Sequence, residues 1–491
     1  MRRYAAALAL ALAAGCAGPG AFFHDAGEAP PAPPRSLAEL SWRELWTGVV
    51  FQGRKVGFAR IVVRPAPESG LWEIETESAL RFRLLGTDKR VSLRALDVVR
   101  GDLALERFRY DYRMDGSDLR VEGGRESGEL VVHVTGAAAP VTQRLPLAEQ
   151  VVPASALTLL PVARGLRVGT TAHTLVFVGE AQQLAPAAQR VLAYERSPLF
   201  EGAAFRVSTT LLGLETETWI DVEGRPLLER ALHGALISAL EEPAAARAYL
   251  VEASLAKDEA LIEFSLLPSG PVADARRAAA LTVELEGVPE MLEVPESAGQ
   301  RCAREGARLT CRIDRRAPGA APSAPDIERY LKPTLAAPSN ERQFVELARA
   351  IAGDAPTPDE RISRLLAWID AHIAKEAVDV FSAADVLRER RAECQGHAYL
   401  VAALARAIGL PTRVVNGVVY SPEHGGFLYH TWNEVWTNET GWRAVDATFG
   451  QRVADATHIA LAIGENAAAL APLAAMVGRA RVARLGGVAH W

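Results

Sequence analysis

Three things are scarce in this chain, and each scarcity excludes something. Positive charge is the first: 54 Lys and Arg stand against 60 Asp and Glu, for a net charge of -6. No basic stripe is on offer to neutralise phosphates, which argues against a nucleic-acid partner. Long apolar runs are the second. The run from Ala5 to Ala14 is too short to span a bilayer, and behind Arg2 and Arg3 it has the layout of an export signal. Cysteine is the third: only Cys16, Cys302, Cys311 and Cys394 occur in 491 residues, so each can be accounted for. What is plentiful is ordinary globular material, 49% hydrophobic and 23% charged. The length exceeds what one core holds, which makes two to three domains the expectation.

The export signal ends in "LAAGC", which resembles the lipobox of bacterial lipoproteins. That resemblance implies a signal peptide over 1–16 and lipidation at Cys16; a plain secretory signal is the alternative. With Ala17 next, it also implies the outer membrane, so the expected address is the periplasmic side of the cell envelope, held to the membrane by lipid. Residues 17–37, rich in Ala, Pro and Gly, read as a flexible or polyproline-like tether.

From 38 to 255 the signal is antiparallel β. "RFRYDYRM" alternates Phe108, Tyr110, Tyr112 and Met114 with charged residues, the pattern of a half-buried strand. Gly53 and Gly224 mark turns between apolar flanks. "SALTLLPVARGL" and "AAQRVLAYE" break the pattern and read as short helices. Residues 256–325 form a smaller β unit and linker, with strands at "IEFSLL" and "LTVELEG". Cys302 and Cys311 flank a Glu-Gly turn there and are candidates for a disulfide across a hairpin; two buried thiols are the alternative.

Residues 326–491 read as an α+β domain with helices before strands. Asn340 with Gln343, Thr357 with Glu360, and Ser382 with Asp385 are spaced as capping boxes, and Pro358 suits a first helical turn. Ile362, Leu365, Leu366, Ile369 and Ile373 mark one buried stripe. Cys394 stands at the start of the helix "QGHAYLVAALARAIG", which Gly409 and Pro411 stop. A thiolate is the nucleophile in cysteine chemistry, and a helix start offers partial positive charge and unpaired N–H groups. Downstream, "FLYHTWNEVWTNETGWRAVDATF" reads as a hairpin. Pairing Thr437 with Gly441 sets Trp436 opposite Trp442 and brings His430 onto the face of Asp446, one diagonal step away. A final strand, helix and strand would complete the sheet.

These segments resemble the transglutaminase-like superfamily, within the papain-like cysteine fold, whose order is Cys, His, Asp. "RRAECQGHAYLVAALARAIGLPTRVV" resembles its nucleophile helix, "YHTWNEVW" its histidine strand and "WRAVDATFGQ" its aspartate strand. The resemblance implies Cys394 as nucleophile, His430 as general base and acid, and Asp446 as the orienting carboxylate, with no cofactor. It covers roughly 330–465. Ala392-Glu393 departs from the Gly-Asp or Gly-Gln of many relatives, and Glu393 is expected to face solvent. A zinc site on Cys394, His397, His424 and His430 is set aside, because the hairpin pairs His430 with Asp446 and no second cysteine is near. His397 and His458 read as structural, and Trp432 and Trp436 as sheet core.

The implied activity is acyl transfer through a thioester at Cys394, acting on amide or peptide bonds of envelope peptides or proteins. Hydrolysis is favoured, since water is the default acceptor in an unshielded cleft. Amine transfer (cross-linking of glutamine) and a non-catalytic binding or scaffold module are the alternatives.

Overall fold

A computed structural model of the chain describes residues 22–84, 87–147, 150–248, 265–290, 292–317 and 324–491. The signal segment and Cys16 lie outside these residues. A large β-rich N-terminal region precedes a C-terminal body of helices packed on sheet. No described helix is long and apolar enough to cross a membrane.

Among the described residues, the N-terminal region is built on one sixteen-stranded sheet. It begins with Glu44–Phe51 and steps outward hairpin by hairpin to Val141–Pro146. The chain then starts again at the far edge with Val151–Pro153 and returns, strand by strand, to Leu236–Leu240. That strand pairs antiparallel with Glu44–Phe51, in a seam running from Leu236 opposite Phe51 to Leu240 opposite Thr47. Alternation explains the layering: in Leu105–Met114, Leu105, Phe108 and Tyr110 are buried while Arg107, Arg109 and Arg113 are exposed. The inward set joins Val63, Ile74, Val121, Leu130 and Phe177 in the main core.

Two readings of this region are corrected. "AAQRVLAYE" lies inside the strand Gln183–Arg196, whereas Leu160–Arg164 is helical as read. Pairing on both sides overrides a composition that suits helix. The described part of the tether is not free either. His24 and Asp25 pair with Arg196 and Glu195, Ala32 bridges Leu166, and Leu37 is buried.

The boundary at 325 is also redrawn. Leu267–Pro268 pairs with Gly426–Thr437, and Ala278–Glu286 pairs with Arg481–His490. The small β unit therefore takes its fourth strand from the C-terminal segment, which does not complete the main C-terminal sheet as expected. Half of "IEFSLL" falls outside the described residues. Arg315, read as linker, is buried and donates 2.6 Å to the carbonyl of His458. Cys302 and Cys311 sit directly opposite each other on their hairpin and are bonded.

Among the described residues, the C-terminal helices are Ala324–Arg329, Arg342–Ala352, Pro358–His372, Ala383–Glu389, Cys394–Ala407 and Ala467–Ala474. Thr357 accepts from the Glu360 N–H at 3.2 Å, although the Glu360 side chain turns to Arg364 rather than closing a box. Ser382 and Asp385 form their box. Asn340 does not cap its helix: Glu341 takes the N-cap position and spends a carboxylate oxygen on the Ala139 N–H of the N-terminal region, 2.6 Å away. The buried stripe Ile362, Leu365, Leu366, Ile369 packs with Leu400, Val401 and Leu404. Beneath lie Thr412–Ser421, Gly426–Thr437, Gly441–Val445 and Ile459–Ile463 in one sheet.

Candidate active site

Cys394 is the first residue of its helix, is partly exposed and carries the free thiol. Its backbone is pinned by Gly396 and His397. A Cβ at Gly396 would come within 2.5 Å of Ala392 Cβ and 2.9 Å of Val380 Cγ2, so the helix start approaches its neighbours more closely than any side chain allows. His397 is fully buried one turn on, with Nδ1 2.9 Å from the Glu393 carbonyl; it braces the helix start.

His430 and Asp446 come from adjacent strands. The register is the one read from sequence, with Trp436 opposite Trp442 and Thr437 opposite Gly441. The ladder ends at Asn433 opposite Val445, and Asp446 then bridges Gln451, so its side chain turns toward His430. His430 Nε2 lies 2.8 Å from Asp446 Oδ2. The Cys394 thiol is within hydrogen-bonding reach of the same ring. With Nε2 given to Asp446, Nδ1 is the nitrogen left for sulfur.

The electrostatics follow from burial and pairing. Burial opposes a charge on His430, but the Asp446 carboxylate and then Cys394 outweigh it and raise the imidazole to about 9. Burial likewise opposes the Asp446 charge; His430 and His458 overcome it and hold the carboxyl well below the usual range. Its Oδ1 also accepts the Thr448 N–H at 2.7 Å.

His458, read from the sequence as structural, lies against the site. Its Nε2 lies 3.0 Å from the same Asp446 oxygen that His430 uses, and its Nδ1 is 3.1 Å from the Asp455 carbonyl. Asp455 is tied in turn to Arg276 at 3.1 Å and Gln451 at 2.9 Å. From the partly exposed Cys394 a line thus runs inward through the buried His430, Asp446, His458 and Asp455. Only its position past the aspartate motif hinted at this. Trp432 packs edge-on to His458 with centroids 5.1 Å apart, while Phe449 stacks on His430 at 4.8 Å under the Arg276 guanidinium. Trp436 packs on Trp442, away from the imidazole.

His430, Asp446 and His458 also offer three ligand atoms within 4.8 Å of one another. Both nitrogens, however, approach one carboxylate oxygen at hydrogen-bond distance. A zinc ion bound at about 2 Å to each would push them further apart. His424 bonds Ser421 in the loop between two strands and takes no part.

Glu393 does not face solvent. Its side chain is 19% exposed and points at Lys89 of the N-terminal sheet. Between that sheet and the C-terminal body lies a cavity of about 950 Å³, bordered by Tyr112, Leu145, Phe381, Gln395 and Tyr399. Gln395 directly follows the thiol, so the N-terminal region forms one wall of the space beside it.

A buried carboxylate, an imidazole and a partly exposed thiol at a helix start can hold a thiolate, deliver a proton and bind an oxyanion. Residues 345–447 match the model of the transglutaminase-like superfamily. Kyphoscoliosis peptidase of Homo sapiens is 30% identical over 125 residues, 22% of this chain and 18% of that protein. Its Mus musculus counterpart is 31% identical over 127 residues, 23% and 19% of the two chains. The match thus spans about a fifth of the relatives' length. Among solved structures, a proposed cysteine protease from Cytophaga hutchinsonii aligns with TM-score 0.30 and 18% identity, over 43% of this chain and 88% of that one. A β-barrel-like protein from Brucella abortus aligns with TM-score 0.31 and 9% identity, over 41% and 95%. The segment 345–447, which holds Cys394, His430 and Asp446, is a transglutaminase-like domain.

Proposed function

We propose that this chain is a cysteine-dependent acyl-transfer enzyme that opens amide or peptide bonds. The observation that carries the reading is His430 standing between Asp446, 2.8 Å away, and the Cys394 thiol at a helix start. The layout follows the papain-like plan, nucleophile on a helix and base on a sheet. Cys394 Sγ attacks the carbonyl carbon, and the oxygen takes up negative charge facing the helix N–H groups. The C–N bond then breaks as His430 Nδ1 gives its proton to the departing amine, leaving a thioester. Water attacks the thioester, His430 takes a proton from it, the acid leaves, and sulfur returns as thiolate. Asp446 stays ionised and holds the ring throughout.

Hydrolysis is the favoured outcome because Cys394 is partly exposed, so water reaches the thioester. The aligned relatives bear the name peptidase, which supports the same choice. With Cys16 as lipid anchor, the substrates would be peptides or proteins of the cell envelope. Incubation of the full chain with a glutamine-containing peptide and a primary amine, read by mass, tests the reaction. Cleavage or deamidation that His430→Ala abolishes is expected. Amine incorporation would replace hydrolysis by transfer. Electrophile labelling of Cys394 that is indifferent to His430→Ala would leave a binding module.

A further inference from the structure

Glu393 occupies the N-cap of the nucleophile helix, yet its side chain makes no cap hydrogen bond. Its carboxyl lies instead with Oε2 3.9 Å from Lys89 Nζ. Lys89 belongs to the strand Thr87–Arg100 of the N-terminal sheet and is wholly buried. Its ammonium also meets Asp379 at 2.9 Å and Asp115 at 3.2 Å. Asp115, on the turn between the next two strands, accepts the Asp379 N–H at 3.1 Å. One cation from the sheet thus gathers one carboxylate of its own region and two from the C-terminal body. Burial opposes its charge, and Asp379 and Glu393 overcome that and keep it charged. Burial, then Asp379, raises the Glu393 carboxyl well above its ordinary value.

An acidic group at an N-cap has an obvious alternative partner. The first-turn N–H groups of a helix lack intrahelical acceptors and attract negative charge. In acyl transfer those same groups, beginning with that of Cys394, are wanted by the oxyanion. A Glu393 carboxyl folded back onto them would take the oxyanion's place.

We propose that Lys89 is a positioning residue of the active site: reaching across from the N-terminal sheet, it holds the Glu393 carboxyl away from the start of the nucleophile helix and leaves the first-turn N–H groups to the oxyanion. The inference rests on the acyl-transfer reading. It makes the sheet part of the catalytic apparatus rather than a passive platform.

Two reactions of Cys394 separate this role from a structural one. Acylation by p-nitrophenyl acetate develops an oxyanion; alkylation by iodoacetamide does not. In the full chain, Lys89→Met should slow acylation roughly 100- to 1,000-fold, the range for losing an oxyanion donor. Alkylation should stay within about threefold of the parent, a change of under 1 kcal/mol. Lys89→Arg should retain acylation, and adding Glu393→Ala to Lys89→Met should restore it. A second arm does not require the single variant to fold. In the Glu393→Ala background, Lys89→Met should leave acylation within about threefold, since nothing remains to be held back. Loss of both reactions together, acylation unchanged in Lys89→Met, or a further tenfold loss in the Glu393→Ala background would each overturn the proposal. A parent chain with no acylation burst would overturn the acyl-transfer reading, and this inference with it.

Discussion

Asp446→Asn removes one charge from a site built on it. In the parent, burial opposes the charge on His430, and the Asp446 carboxylate, with Cys394 behind it, overcomes this and raises the imidazole from 6.5 to about 9. At 1.36 kcal/mol per pH unit, that rise is worth about 3 kcal/mol to the imidazolium. An asparagine carbonyl still accepts one hydrogen bond but supplies no net charge, so most of the support disappears while the burial remains. The thiolate–imidazolium pair then loses about two powers of ten against the neutral pair. The alkylation rate of Cys394 by iodoacetamide, followed from pH 5 to 10 by mass, reads this out. At pH 7 a ten- to hundredfold fall is expected, on the order that the 3 kcal/mol allows. The geometry also suffers, because Oδ2 serves both His430 and His458 while Oδ1 serves the Thr448 N–H. One of these donors must face the amide NH₂, costing about 1–3 kcal/mol of stability. A pH–rate profile superposable on the parent's would refute the reasoning outright.

Three further outcomes rest on the same geometry. His458→Leu strips one donor from Asp446 and leaves two buried carboxylates less satisfied, so unfolding free energy should fall by about 2–4 kcal/mol at pH 6. Burial opposes the His458 charge, yet Asp455 and Asp446 raise its pKa in the fold. The charge-dependent part of its contribution is therefore complete below about pH 6.5 and is lost as pH rises through the raised value; the gap between urea titrations of parent and variant should narrow at alkaline pH. Reducing the Cys302–Cys311 bond, or Cys302→Ser with Cys311→Ser, should cost about 2–3 kcal/mol for so short a loop, seen as a lower Tm with alkylation of Cys394 retained in the folded protein. Gly396→Ala should destabilise by about 1–3 kcal/mol, since its Cβ would sit 2.5 Å from that of Ala392. A chevron or calorimetric comparison checks it.

What the sequence made legible was local. The hairpin register could be worked out because Thr437 to Gly441 is a short polar turn between alternating runs, and side-chain period two leaves little freedom. The start of the nucleophile helix was readable for the same reason: Ala and Leu propensity after Cys394 and a Gly-Pro stop. What stayed hidden was set by partners remote in the chain. Glu393 seemed solvent-facing because nothing near it announces Lys89, which arrives from another sheet. His458 looked structural because its role depends on a bend that aims it back at Asp446. The 278–286 strand gave no sign that 481–490 would be its neighbour. Propensity misled at "AAQRVLAYE", where two flanking strands decide the outcome.

The seam between Leu236–Leu240 and Glu44–Phe51 has a consequence in time. Nearly every other pair in the large sheet joins strands that are neighbours in sequence, so each hairpin closes over a short loop and quickly. The seam holds only the five residue pairs from Leu236–Phe51 to Leu240–Thr47, and closing it means bringing together the two ends of most of the N-terminal region. Two fans of hairpins must therefore wait for each other, each showing an unpaired apolar edge while it waits. The interval during which this chain can pair with a wrong partner is the interval before those five pairs meet.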